Sequence, residues 1–269
     1  MTRGRGATLR AILRWAPSLL VVAGGLVLWQ VVTVVRQVPS YLLPGPVDIW
    51  RAGLDEHELL LTNAVPTLEI AVFGFGIAVV VGIAFAIAIR FSTVLEAAVY
   101  PIVIVSQTVP VVALAPVLVV LLGFTILPKL IIVALICLFP ITVNAVDGFR
   151  SVDPDLIKLM RSLGAGRWRI FRTVEWPSAL PFIFSGAKVA VTFSVVGALF
   201  GEWAGSSEGL GYLMTQKESQ FDTGALFAAI ALLSLIGIGL FAVVSIAERR
   251  LLPWYYTDTR RDALHGRRV

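Results

Sequence analysis

Asp153–Pro177 reads DPDLIKLMRSLGAGRWRIFRTVEWP, a polar, basic stretch set between long apolar ones. It holds the chain's densest cationic cluster: Lys158, Arg161, Arg167, Arg169 and Arg172. Asp153-Pro154-Asp155 is a helix start, with Asp as N-cap, Pro at the first position and an acid in the first turn. Leu156, Leu159, Met160 and Leu163 follow at i, i+3, i+4 and i+7, an apolar face on a short helix. Lys158, Arg161 and Ser162 face elsewhere. Gly164 closes this helix as a C-cap, and Ala165 and Gly166 leave a tip with almost no side chain. A second short helix follows, with Trp168, Phe171 and Val174 on one side and arginines on the other. Pro177 is expected to end it and turn the chain back.

Working outward, the chain has 269 residues, 58% hydrophobic and 14% charged, with mean hydropathy +0.88. A soluble domain carries about 45–50% apolar and about 25% charged residues, so the excess apolar surface must face something other than water. Six stretches are long and apolar enough to span a hydrocarbon core, which takes roughly 20 residues. They lie near Ala16–Val35, Val65–Ile89, Ala97–Gly123, Leu130–Val146, Leu180–Leu199 and Ala225–Ala247. The third contains Pro101, Pro110 and Pro116, tolerable where neighbouring helices re-satisfy the freed carbonyls. One cysteine, Cys137, excludes an internal disulfide, and with only His57 and His265 a His/Cys zinc site is disfavoured.

The basic residues orient the spans. With the N-terminus in the cytoplasm, 17 of the 22 Lys and Arg fall on that side. They are Arg3, Arg5, Arg10 and Arg14, then Arg90, then Arg150 with the Asp153 loop, then six arginines from Arg249 to Arg268. The other side keeps Arg36, Arg51, Lys129 and Lys217, and Lys188 lies within a span. This bias puts both termini in the cytoplasm. The charge of +5 is thus a topology signal and not a nucleic-acid one. Trp15 and Trp254-Tyr255-Tyr256 fit the inner interface and Trp203 the outer. The first span is too long for a signal-peptide core and lacks an A-x-A-like site, so it reads as retained. The expected organisation is a basic cytoplasmic tail at 1–15, a membrane domain at 16–247 with the loop 153–177, and a basic cytoplasmic tail at 248–269. On the outer side, LLPGPVDIW reads as a turn and a short helix at the membrane surface.

Two short helices around a small-residue tip suit docking into a groove on another protein, or lying on anionic lipid. The loop resembles the EAA loop of the inner-membrane permease subunits of bacterial ABC importers. That motif runs Glu-Ala-Ala, three residues, Gly, nine residues, then Ile-x-Leu-Pro. Here the Gly is Gly164, the Ile position is Val174, the Leu position is Trp176 and the Pro is Pro177, whereas Lys158, Leu159 and Met160 replace Glu-Ala-Ala. Ser106–Phe124, Asp147–Leu156 and Gly201–Met214 resemble the nitrate, sulfonate, taurine and thiamine-precursor branch. The resemblance covers roughly Leu42 to Pro253.

It implies an all-α polytopic protein with six transmembrane helices, like a type I ABC importer permease, in the bacterial inner membrane. Its coupling helix would lie between spans four and five. Lys158, Leu159, Met160, Gly164, Ala165, Gly166, Val174 and Pro177 would then meet an ABC ATPase subunit. A periplasmic or lipid-anchored substrate-binding protein would deliver cargo, and a second permease chain would complete the pathway as a homodimer. The nearest resemblance is to permeases for thiamine pyrimidine precursors or riboflavin-like heteroaromatics, with sulfonate, taurine or nitrate as the alternative cargo.

No G-x-x-x-x-G-K-[ST] occurs, so the chain holds no ATP itself and ATP and Mg would be used by the partner. Gly205–Gly209 matches G-x-S-x-G, but a Gly/Ser-rich turn is favoured over an intramembrane serine hydrolase built on Ser207. Ser185–Lys188 matches S-x-x-K, where a snorkelling Lys188 is favoured. A secondary transporter would need acidic or unwound mid-membrane sites, and no central acid stands out. Gln107, Asn144, Thr192, Ser194 and Glu202 are the pathway candidates, since polar groups in hydrocarbon face partners or water. Glu69 and Asp147 read as interfacial. Gly186, Ala190, Ser194 and Gly197 recur down the fifth span as a helix–helix or dimer seam.

Overall fold

The computed structural model describes residues 5–255, apart from the side chains of residues 5–15 and Ser106. Tail residues 1–4 and 256–269, including Tyr256, His265 and the last four arginines, lie outside the described residues, as does the Trp15 side chain. The chain divides into two compact units, one of Met1–Leu61 with Leu213–Ala231, the other of Thr62–Tyr212 with Leu232–Val269. Every regular element among the described residues is helical: α1 (Arg5–Val35), α2 (Pro46–Asp55), α3 (His57–Phe91), α4 (Thr93–Ser106), α5 (Val111–Leu122), α6 (Ile126–Arg150), α7 (Pro154–Ser162), α8 (Arg167–Ile170), a π-helical turn (Phe171–Glu175), α9 (Trp176–Trp203), α10 (Leu210–Ser219) and α11 (Thr223–Leu251).

Five helical stretches are long and apolar enough to cross a membrane: Ala16–Val35, His57–Phe91, Ile126–Arg150, Arg167–Trp203 and Thr223–Leu251. The third expected span, Ala97–Gly123, is built from two shorter apolar helices, α4 and α5, with a break between them. The break has a local cause. Pro110 has no amide to bond back and disfavours helical geometry at Val109, so α4 stops and α5 restarts with Pro110 as its N-cap. Pro101 and Pro116 remain inside their helices.

Within the larger unit, α6 and α9 form the tightest pair. The small residues of α9 serve this packing: a Cβ on Gly186 would sit 2.5 Å from the Pro140 carbonyl oxygen, and one on Gly197 would sit 3.1 Å from the Val133 Cα. Close approach by small residues is how membrane helices gain dispersion contact without a hydrophobic drive. The small-residue stripe is therefore a helix–helix seam inside the chain. Lys188 does not snorkel freely, because Glu248 of α11 accepts from its Nζ at 2.9 Å. A half-exposed cation beside a buried carboxylate is better held there than extended toward an interface.

In the smaller unit, Gly45 caps α2 by donating its amide to Asp48 Oδ2 at 3.0 Å, with Pro46 at the first position. Val47, Trp50 and Leu54 are exposed along α2 at helical spacing, the amphipathic helix expected there. Lys217 sits between Glu56 and Asp222, 3.0 Å from Asp222 Oδ2. Burial works against the Lys217 ammonium, but the two carboxylates prevail and hold its pKa above the usual lysine value. Partial burial likewise opposes the Asp222 carboxylate, yet Lys217 and the Ala225 amide hold its pKa below the usual one.

Candidate functional site

The Asp153–Pro177 loop has two arms of different construction. The first is α7. Asp153 Oδ1 accepts the Asp155 amide at 2.8 Å, the N-cap read from the sequence. At the other end Gly164 has φ +79, its amide bonds to Arg161 O at 2.9 Å and the Ala165 amide bonds to Met160 O at 3.0 Å. This is a Schellman closure, and its left-handed residue favours glycine. Leu156, Leu159 and Leu163 are exposed, Leu159 by 55% and Leu163 by 74%, and Met160 is half-buried. Lys158 is exposed and pairs only locally, with Asp155 at 2.8 Å. Gly164 and Gly166 are exposed at the tip.

The second arm is built into the bundle. Phe171 is buried at the centre of an aromatic cluster, with ring centroids 5.0 Å from Phe91, 5.4 Å from Trp168, 5.5 Å from Phe149 and 6.1 Å from Trp176. Ala86, Ile89, Ala145, Val146, Ala179 and Ile183 pack around it. Glu175 is only 3% exposed and takes a two-pronged bond from Arg90, whose Nε donates to Oε2 at 2.9 Å. Arg167 donates to the Phe91 carbonyl at 3.0 Å and covers the Phe91 ring at 5.1 Å.

This arm corrects one expectation. Pro177 does not end a helix. It sits in the first turn of α9, and Arg167–Trp203 is one continuous helical run. The π-turn at Phe171–Glu175 is the reason: it widens the helix where a proline ring would meet the carbonyl four residues earlier, Thr173. Val174 is half-buried within that turn. The Arg90–Glu175 joint was invisible in the sequence, where Arg90 counted only as a topology charge and Glu175 filled the free position of the loop motif.

The remaining candidates fall into two groups. Gln107 and Thr192 are exposed and Asn144 is half-buried, its Nδ2 donating to Pro140 O at 2.7 Å. Ser194 is fully buried in the α6–α9 pair and bonds Val191 O at 2.8 Å. Glu202 is 1% exposed and accepts the Gly211 amide at 2.6 Å. Around it, the Leu210 amide donates to Thr67 Oγ1 at 2.8 Å and the Gly209 amide to Asn63 Oδ1 at 3.0 Å. Lys129 donates to Ser206 Oγ at 2.7 Å, and beside it lies a cleft of about 420 Å³ lined by Glu69, Phe124, Lys129, Ser206 and Glu208. Ser207 lies in the turn between α9 and α10, as its Gly/Ser-rich neighbourhood implies. Asp147 and Glu69 are exposed.

Comparison with known proteins matches residues 78–253 to the binding-protein-dependent transport system inner membrane component family. The chain is 39% identical over 230 residues to the formylaminopyrimidine transport permease protein ThiX of Halalkalibacterium halodurans, covering 85% of this chain and 92% of that one. It is 34% identical to the riboflavin transport system permease protein RibX of Chloroflexus aurantiacus, covering 85% and 86%. An inward-facing structure of the MetNI methionine ABC transporter matches in fold, with TM-score 0.61 at 19% identity, over 74% of this chain and 97% of that chain. A family match over more than half the chain, a relative at 39% identity and a shared helical architecture agree. The chain belongs to the binding-protein-dependent transport system inner membrane components, the permeases of ABC importers.

Proposed function

We propose that this permease carries a small heteroaromatic vitamin or precursor, of the formylaminopyrimidine or riboflavin kind, inward across the membrane. It would be driven by a separate ATPase that uses ATP and Mg. The observation that carries the coupling is the contrast within the loop: a row of exposed leucines on α7, held in register by the Gly164 closure, on a base locked into the bundle. An exposed apolar face on a short amphipathic helix is a ready knob for a groove on a partner. Lys158, Leu159, Met160 and the Gly164–Gly166 tip enter the ATPase, while Val174 and Pro177 hold the base. The loss of an acid at Lys158 removes one contact and leaves the apolar face.

The pathway forms between two copies of the chain, fed by a substrate-binding protein on the outer side. The α4–α5 break supports this. α4 has 14 residues, so the break lies about 21 Å along the span from its inner end. Gln107, Thr108 and Val109 are exposed there. Irregular backbone at membrane depth is stable only against protein or water. Gln107, with Asn144 and Thr192, is therefore the pathway surface. Ser194 and Glu202 are enclosed by the chain's own packing and reach a pathway only if the bundle rearranges. Both termini are cytoplasmic, and α2 lies on the outer membrane surface with Trp50 in the interface.

The cargo assignment is supported by what the relatives are named for. The test is gentle purification of the tagged chain from its native membranes, with mass spectrometry of accompanying proteins and small molecules. The expected result is an ATPase subunit and a pyrimidine or flavin-like ligand. A trapped sulfonate would replace the cargo. Recovery of the chain alone, transporting in liposomes without an ATPase, would replace the whole reading with a secondary transporter.

A further inference from the structure

Chain connectivity joins the coupling loop to the bundle twice, through α6 before it and α9 after it. Side chains add a third joint, to α3. Arg90, in the last turn of α3, is bonded through both prongs to Glu175 of the π-turn, and Arg167 is bonded to the carbonyl of Phe91, the last residue of α3. At the opposite end of the same helix, Asn63 and Thr67 accept the amides of Gly209 and Leu210, in the turn that Glu202 also grips through Gly211. Thr67 and Arg90 are 23 positions apart, about 35 Å along a helix. One rod is thus bonded to the loop at one end and to the 204–211 turn at the other. Its middle lies close against α6, where a Cβ on Gly82 would sit 2.9 Å from Ile141 Cγ2.

We propose that α3 transmits the state of the coupling loop to the 204–211 turn, and that Arg90 and Glu175 are the positioning pair that make it do so. The inference rests on the ATPase-coupling reading above. Its physical basis is that a bidentate pair between a half-buried arginine and a buried carboxylate fixes direction as well as distance, unlike apolar packing that can slide. Coupling between distant sites needs a contiguous element that both ends bias. The turn is also joined to α9 through Glu202, and α3 adds a second bonded route to it from the loop.

The test uses the intact importer in nanodiscs, permease with its ATPase subunits, and reads the stimulation of ATP hydrolysis by the cargo-loaded binding protein. Riboflavin and a formylaminopyrimidine serve as the cargo probes. The set is wild type, Arg90→Gln, Glu175→Gln, Arg90→Lys and the double exchange Arg90→Glu with Glu175→Arg. Each single neutral variant is expected to recover the ATPase in wild-type ratio and to hydrolyse ATP, with stimulation reduced roughly tenfold. Arg90→Lys keeps the charge but not the fork and should fall between. The double exchange should regain at least half the stimulation. Wild-type stimulation in both single variants would overturn the proposal. So would loss of basal hydrolysis and of ATPase recovery in every variant including Arg90→Lys, which would make the pair purely structural. If wild-type permease brings down no ATPase, the coupling reading itself fails, and this proposal fails with it.

Discussion

The two arms of the coupling loop are neighbours in sequence and opposites in construction. α7 is closed by its own caps, Asp153 and Gly164, and shows its leucines to the outside. The arm from Arg167 to Glu175 has little capping of its own and is held by tertiary contact: five aromatic rings, a buried carboxylate and two arginines from either side of the joint. On the proposed coupling reading, the contrast is what a lever made from one short segment requires. The end that meets a partner must be preformed yet unpartnered in the isolated chain, so local bonds have to define it. The end that receives the thrust must not yield, so it belongs to the core.

The contrast can be broken at the tip. Gly164→Arg puts a bulky residue at φ +79 in a position with open space around it. The permease should reach the membrane in normal amount, and uptake should fall more than about a hundredfold, the order expected when docking loses roughly 3 kcal/mol. Normal uptake would sink the lever. In the other arm, Phe171→Ala opens a cavity among packed rings and should cost about 3–5 kcal/mol of stability, read as a fall in the detergent unfolding midpoint. If instead the midpoint holds, the second arm is not part of the core.

Leu159→Glu tests the difference between the arms directly. Leu159 is more than half exposed, so thermal stability should change by less than about 0.5 kcal/mol. Recovery of the ATPase with the permease should drop about tenfold, from a carboxylate placed in an apolar contact. A stability loss without a docking loss would invert the assignment. The smallest effect is a control in the other unit. Asp222 has a lowered pKa, so its contribution is present above the unfolded value of about 3.9 and is lost as pH falls through the folded one. Lys217 has a raised pKa, so its contribution is present below about 10.4 and is lost as pH rises beyond. Asp222→Asn should flatten the acid side of a stability profile by a few tenths of a kcal/mol and leave ATPase recovery unchanged.

Much of this is legible in the sequence alone. The membrane class, the loop, its N-cap and the closing glycine follow from hydropathy, from proline and glycine positions, and from apolar spacing at 156, 159, 160 and 163. These are local or one-dimensional properties, and the backbone has few alternatives where a Pro or an exposed left-handed turn is concerned. Within the third span the sequence does not set Pro110 apart from Pro101 and Pro116, although only Pro110 stops a helix. Pro177 reads as a stop in the sequence because a π-turn leaves no signature in composition.

What the sequence by itself determined, then, is that this chain is a bundle of membrane helices with one amphipathic, self-capped loop between two of them. Hydrophobic length, charge asymmetry and capping chemistry are each written in a few consecutive residues. Only the tertiary structure decided that Lys188 rests on Glu248, that the small-residue stripe of α9 is spent on α6, and that Arg90 reaches Glu175 across 85 positions. Such pairings depend on how helices lie beside one another. Many registers satisfy the same apolar pattern, and the few polar contacts that select among them appear only once the helices are packed.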